Sequence, residues 1–184
     1  MQHKKEAFRL LYEQHHLMVY HIAYQYLQNQ EDAEEITQDV FVQVHQSMEK
    51  FEGKSSIKTW IYRISINKSL DFIKYKNSKK RWFIFGAKNQ NNQETQSVES
   101  VDYSDIQLEN EEKSTILYAQ INALPANQKT AFILSKHEEL SHREIAEIME
   151  LSVSSVESLV FRAKKTLQQK LAEKFEEYHK KNNS

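Results

Sequence analysis

The stretch LSHREIAEIMELSVSSVESLVFRAKKTLQQKL (140–171) decides how the rest of the chain is read. It holds two four-residue signals of one kind, Ser141-His142-Arg143-Glu144 and Ser154-Ser155-Val156-Glu157. Each fits a capping box, in which Ser caps a helix start and Glu reaches back to it. Two starts 13 residues apart leave room for only a very short first helix. The spacing predicts a helix over 141–149, a tight turn through Glu150 to Val153 and a longer helix from 155, which is helix-turn-helix geometry. On the longer helix Val156, Val160, Ala163, Leu167 and Leu171 form an apolar stripe, and Ser155, Ser158, Arg162, Lys165 and Gln169 share the opposite face. Arg can bridge two acceptors of guanine while Ser and Gln read base edges or phosphates, so this face suits a major groove. A solvated face on an ordinary helical hairpin is the plainer reading of the same residues.

Working upstream, the sole proline, Pro125, suits the first turn of another helix, and Ile116, Ile121 and Leu124 lead into it. From Lys88 to Glu112 periodicity disappears into Asn, Gln, Ser and acids, the composition of a flexible linker. Before it, three helices are expected. The first follows Phe8, Leu11, Val19, Ile22 and Tyr26 and is broken at Asn29; the second runs from about Glu31 to Phe51 on Ile36, Val40, Val44 and Met48. The third, from about Ile57 to Lys80, carries two apolar stripes. Ile57, Ile61, Ile64 and Phe72 form one, and Tyr62, Ile66, Leu70 and Ile73 the other. A helix apolar on two sides is sandwiched between neighbours, so a small three-helix bundle is the simplest arrangement. The fold class is therefore all-α, two small helical domains joined by a flexible linker: 1–83, a linker over 84–112, 113–178, and a tail over 179–184.

Composition narrows the function. With no Cys among 184 residues, disulfide scaffolds, thiolate zinc sites and thiol catalysis are excluded, and a reducing, cytoplasmic setting fits. Only two Gly, far apart, leave no phosphate-cradling loop. No apolar run reaches the length of a signal peptide or a membrane span, so no membrane insertion is expected. The eight His are scattered, and the carboxylates of 31–39 suit the positive end of a helix without needing a metal. No metal, cofactor or enzymatic activity is expected.

A formal net charge of −1 hides strong segregation. Lys54 to Lys88 holds ten basic residues against one acid, Asp71, whereas Glu94 to Glu112 holds seven acids and no base. Glu31 to Asp39 adds five more acids. With screening over about 8 Å, such patches serve separate partners, and the basic one suits a polyanion. On the third helix Trp60, Arg63, Asn67 and Lys74 line one face between the two apolar stripes. Arg and Lys can neutralise phosphates, Asn can bond a base edge and an exposed Trp can stack on a base, which suits single-stranded DNA. A Trp in the core of an ordinary helix fits the same spacing.

Four motifs stand in order: DAEEITQDVF (32–41), FEGKSSIKTWIYRISINKSLDFIK (51–74), LPANQKTAFIL (124–134) and the stretch quoted first. Together they closely resemble an extracytoplasmic-function sigma factor of bacteria, a likeness covering nearly the whole chain except linker and tail. The resemblance implies a transcription initiation factor that binds core RNA polymerase through its β′ clamp helices and β subunit and directs it to promoters. Carried over residue by residue, it puts Glu34, Glu35, Gln38 and Asp39 against polymerase. It puts Lys54, Ser55 and Ser56 in the loop that captures a flipped base of the minus-ten element, with Trp60, Arg63, Asn67 and Lys74 along the melted strand. Ser155, Ser158, Arg162 and Lys165 fall on the helix that reads the minus-thirty-five element. The linker would run through the RNA exit path, and an anti-sigma factor joins duplex and melted promoter DNA among the implied partners.

Two positions depart from the family pattern. Glu150 stands where family members often carry Gly, implying a looser turn or a different backbone conformation there. Glu157 stands where a base is frequent, and would repel phosphate unless it serves the second capping box. The competing reading, a stand-alone helix-turn-helix regulator, needs a dimerisation face, and no heptad seam is present.

Overall fold

The structure is a computed structural model and describes residues 2–86, 105–136 and 140–182. They form seven α-helices: α1 (Gln2–Leu27), α2 (Gln30–Ser47), α3 (Ile57–Gly86), α4 (Asp105–Asn122), α5 (Ala126–Ser135), α6 (His142–Met149) and α7 (Val153–Asn182). A single 3-10 turn, Met48–Lys50, follows α2. The first helix stops at Leu27, followed by Gln28 at a left-handed φ of 54°, and Asn29 caps the second, its side-chain oxygen accepting the Asp32 amide at 2.8 Å. Helix α4 begins at Asp105, inside the stretch expected to be linker; residues 87–104 of that stretch lie outside the described residues.

The two stripes of α3 cover two different cores. Ile61 and Ile64, with Ile57 and Phe72 at the edge, close on Val19 and Ala23 of α1 and on Ile36, Val40 and Val44 of α2. Tyr62 and Ile66, flanked by Leu70 and Ile73, do not complete a three-helix bundle. They join Ile22 and Tyr26 of α1 to Ala131 and Leu134 of α5, Ile145 and Ile148 of α6, and Val156 and Val160 of α7. The two helical units expected from the sequence pack against each other through this cluster. A third cluster, Ile121, Leu124, Ala163 and Leu167, fastens α4 to α7. At about 25 cal/mol per Å² of apolar area buried, such packing holds the short α6 where its own propensity would not.

A polar seam runs through the shared core. Tyr26 Oη donates to Thr130 Oγ1 at 2.7 Å, and burial holds the Tyr26 phenol above its usual range. Lys129, only 5% exposed, donates to Asn122 Oδ1 at 2.7 Å and to the Tyr26 carbonyl at 3.3 Å. Its ammonium also lies 4.9 Å from the centre of the Tyr26 ring, a cation–π geometry. Burial lowers the Lys129 pKa from its usual 10.5 to about 8. The unfolded chain holds that proton more tightly than the folded one, so stability contributed at this site rises as pH climbs from about 8 to 10.5. Urea unfolding across that window should give the wild type a gain in stability relative to Lys129→Met. Parallel pH profiles for the two proteins would contradict it.

Candidate nucleic-acid interface

The quoted stretch folds as a helix-turn-helix with its first capping box intact. Ser141 accepts from the Glu144 amide at 3.3 Å, and the Glu144 carboxylate accepts from the Ser141 amide at 2.8 Å and its hydroxyl at 2.7 Å. Those bonds hold the Glu144 carboxyl below its usual pKa. The second box does not form. Helix α7 starts at Val153, and Ser152 takes the capping role, accepting the Ser155 amide at 3.2 Å. A cap two residues earlier leaves Glu157 free of any such duty, and its carboxylate lies 3.6 Å from His142 Nδ1, tying α7 to α6.

Glu150 corrects the expectation for the turn. With φ at 56° it adopts the left-handed conformation that Gly would supply, and the turn is not loose. The Leu151 amide bonds the Ala146 carbonyl at 3.0 Å and the Glu150 amide the Glu147 carbonyl at 3.3 Å, the paired bonds of a Schellman stop. A non-Gly residue there costs about 1–2 kcal/mol.

On α7 the predicted division of faces holds. Val156, Val160, Ala163 and Leu167 are buried and Leu171 is partly so, whereas Ser158, Arg162, Lys165 and Gln169 are exposed and Ser155 is half-buried. Phe161 was absent from the sequence-derived set. It is 68% exposed between Ser158 and Arg162, although an aromatic ring of that size is ordinarily buried. Its signal was legible, since it falls outside the apolar stripe.

The basic face of α3 is less uniform than its spacing suggests. The loop before α3 turns at Gly53, whose φ of +68° favours glycine. Lys54 pairs with Glu52. Ser55 is half-buried, and Ser56 caps α3 by accepting the Thr59 amide at 3.0 Å. Trp60 is not an exposed platform: it is half-buried, its ring 5.1 Å from that of Phe51 and packed on the α1–α2–α3 core. Asn67 and Lys74 are exposed, Lys74 bonding Asp71 at 2.9 Å. Arg63 reaches the other unit, donating to the carbonyls of Glu147 at 2.7 Å and Ile148 at 3.3 Å and pairing with the Glu150 carboxylate at 3.1 Å.

Glu34, Glu35, Gln38 and Asp39 are all exposed along α2. They are not an isolated acidic patch. Lys68 of α3 pairs with Asp39 at 3.5 Å, and Lys76 pairs with Asp32. Val42, one turn beyond Gln38, is 54% exposed and places an apolar spot on this face. A cleft of about 600 Å³ between α2 and α3 is lined by Asp39, Gln43, Asn67, Lys68, Lys74 and Tyr75, so the acidic and basic faces meet. Among the described residues no three His, Asp or Glu side chains converge as a metal set.

Comparison with known proteins agrees with this architecture. Residues 11–79 match the family model of Sigma-70 region 2, and residues 114–167 match that of Sigma-70 region 4. The Haemophilus influenzae ECF RNA polymerase sigma-E factor is 29% identical over 168 residues, covering 91% of this chain and 88% of its own. Bacillus subtilis RNA polymerase sigma factor YlaC is 28% identical over 177 residues, covering 96% and 98%. In fold the chain is similar to CnrH, solved in complex with the cytosolic domain of CnrY, with a TM-score of 0.64, 20% identity and coverage of 91% and 89%. It is likewise similar to the sigma factor RpoE of Bartonella quintana, solved with the anti-sigma factor NepR, with a TM-score of 0.59, 22% identity and coverage of 91% and 98%. The chain belongs to the extracytoplasmic-function sigma factors, initiation factors that direct RNA polymerase to promoters.

Because Trp60 packs against Phe51, Trp60→Ala should destabilise the fold by about 2 kcal/mol, below the range for a fully buried aromatic. Urea titration followed by circular dichroism checks this; a loss below about 0.5 kcal/mol, the ordinary surface range, would return Trp60 to a purely exposed role.

Proposed function

We propose that this sigma factor reads two promoter elements and binds polymerase through three surfaces, two of them adjoining. The observation that carries the proposal is the outer face of α7, where Ser158, Phe161, Arg162 and Lys165 stand exposed opposite a fully packed stripe. With the helix start capped and the turn bonded, that face can enter a major groove as a rigid body. Arg162 would take guanine acceptors, Ser155 and Ser158 base edges or phosphates, and Lys165 a phosphate. Phe161 would lie against a thymine methyl.

The α3 surface is assigned to the minus-ten element and its melting, with Lys54, Ser55 and Ser56 at the flipped base and Trp60, Arg63, Asn67 and Lys74 along the opened strand. Melting needs unstacked bases to be caught as they leave the duplex, which polar and aromatic groups flanked by cations do. Trp60 would offer only the edge that its packing leaves open. Glu34, Glu35, Gln38 and Asp39, with Val42 among them, are assigned to polymerase; an apolar spot ringed by charge is ordinary interface composition. The chain works by binding and not by catalysis, in the cytoplasm, with an anti-sigma factor as a further partner. Among the described residues no helix is long and apolar enough to cross a membrane.

The test is pull-down with core RNA polymerase followed by run-off transcription on a pool of genomic promoter fragments. Capture by core enzyme with new start sites is expected, and duplex binding without capture would point to a stand-alone regulator. Arg162→Ala should cost about 1–3 kcal/mol of discrimination at one upstream base pair while leaving polymerase binding unchanged. Unaltered promoter preference in a competition assay would remove Arg162 from the reading set. Asp39→Ala should weaken polymerase affinity, measured by fluorescence anisotropy, without altering upstream-element binding.

A further inference from the structure

Between Val153 and Gln169 the sequence holds a single acid, Glu157. It stands on the outer side of α7, where it lines an open hollow of about 380 Å³ together with Ser158, Phe161 and Arg162. The helix start makes no use of its carboxylate. Ser152 caps α7, and the Ser152 hydroxyl bonds those of Ser155 at 2.7 Å and Ser154 at 3.1 Å. His142 of α6 approaches one carboxylate oxygen, Oε1, at 3.6 Å, which steadies the side chain without covering it, since the Glu157 side chain is 58% exposed. An ionised carboxylate offers about four acceptor sites, so one contact leaves most of its capacity open.

Phosphate repels an acid on this face, and only a hydrogen-bond donor on the DNA offsets that repulsion. Major-groove edges carry two such donors, the N4 amine of cytosine and the N6 amine of adenine. The edge of cytosine presents its amine without an acceptor, whereas adenine sets the N7 acceptor beside its amine, where a carboxylate is repelled. Guanine offers acceptors alone, and thymine an acceptor and a methyl group. Position along the helix favours a base over the backbone: Glu157 is the fifth residue of α7, and recognition helices touch base edges with their N-terminal residues. We propose that Glu157 is a specificity-determining residue for the upstream element and accepts a hydrogen bond from N4 of a cytosine. The inference rests on the placement of the outer face of α7 in the major groove. At 1.5 Å of rise per residue Arg162 lies about 7.5 Å further along the helix, so the cytosine falls about two base pairs from the guanine that Arg162 reads. The carboxylate also acts against wrong sequences, because a guanine or thymine acceptor at that position meets a like charge.

The measurement is selection of promoter duplexes from a pool randomised at the upstream element, with the full chain assembled on core RNA polymerase, followed by competition between duplexes that differ in one base pair. The wild type should prefer cytosine at one position by about fivefold or more over each other base, with the guanine preference due to Arg162 about two base pairs away. Glu157→Gln should move the first preference to adenine, whose N6 and N7 a Gln amide can bond together, and leave the guanine preference intact. Arg162→Ala should erase the guanine preference and leave the cytosine. If Glu157→Gln raises affinity for every duplex alike and changes no base preference, while Arg162→Ala still erases guanine, Glu157 merely repels DNA and the cytosine assignment is overturned. A wild-type preference for adenine at the position that depends on Glu157 would overturn it as well. If neither substitution alters preference at any position, the placement of α7 in the groove fails, and this inference with it.

Discussion

Everything in this structure turns on the second apolar stripe of α3. A helix buried on one face can end a domain; a helix buried on two faces must have a neighbour on each side. Here Ile61 and Ile64 close the core of α1 and α2, while Tyr62 and Ile66 face α5, α6 and α7. Because one helix serves both cores, packing on α3 sets where the helix-turn-helix lies against the N-terminal unit in this structure. Protein interiors pack to near-crystalline density, so a stripe of this kind dictates register as well as association.

The same contact brings polar chemistry into the interface. Lys129 and Tyr26 sit within it, Lys129 bonded to Asn122 of its own unit and to the Tyr26 carbonyl across the contact, and the partnership of Tyr26 with Thr130 spans 104 residues of chain. Buried polar groups contribute less to net stability than to uniqueness, because any sliding of the units would strand them without partners. Arg63 works at the rim by the same logic, with the difference that it is only partly buried and its partners are a helix end and an exposed carboxylate.

Electrostatic segregation along the sequence is reworked in three dimensions. Basic and acidic blocks looked independent when read in order, yet Lys68 and Lys76 of α3 reach across to Asp39 and Asp32 of α2. The acidic face of α2 and the basic face of α3 are thus neighbours across one cleft, and a charge bound at one alters the field at the other within a Debye length of about 8 Å. The outer face of α7 differs: its polar side chains project outward from a packed stripe, so it presents one consistent surface.

Much of this was legible in the chain itself. Helical periods, the Ser141–Glu144 box, the double stripe of α3 and the division of α7 into buried and exposed faces follow from residue spacing, because a helix converts sequence intervals into directions. Caps were less secure: Ser152 and Ser154 compete for one helix start, and α7 begins at Val153 under the Ser152 cap. Trp60 was ambiguous for the same reason that Phe51 was unreadable, since their contact crosses a loop. Sequence alone determined which faces are apolar and which carry charge; only the tertiary structure decided what each face meets. Periodicity is local, but the partner that covers Tyr62 and Ile66, and the helix end that holds Arg63, come from segments more than 60 residues away.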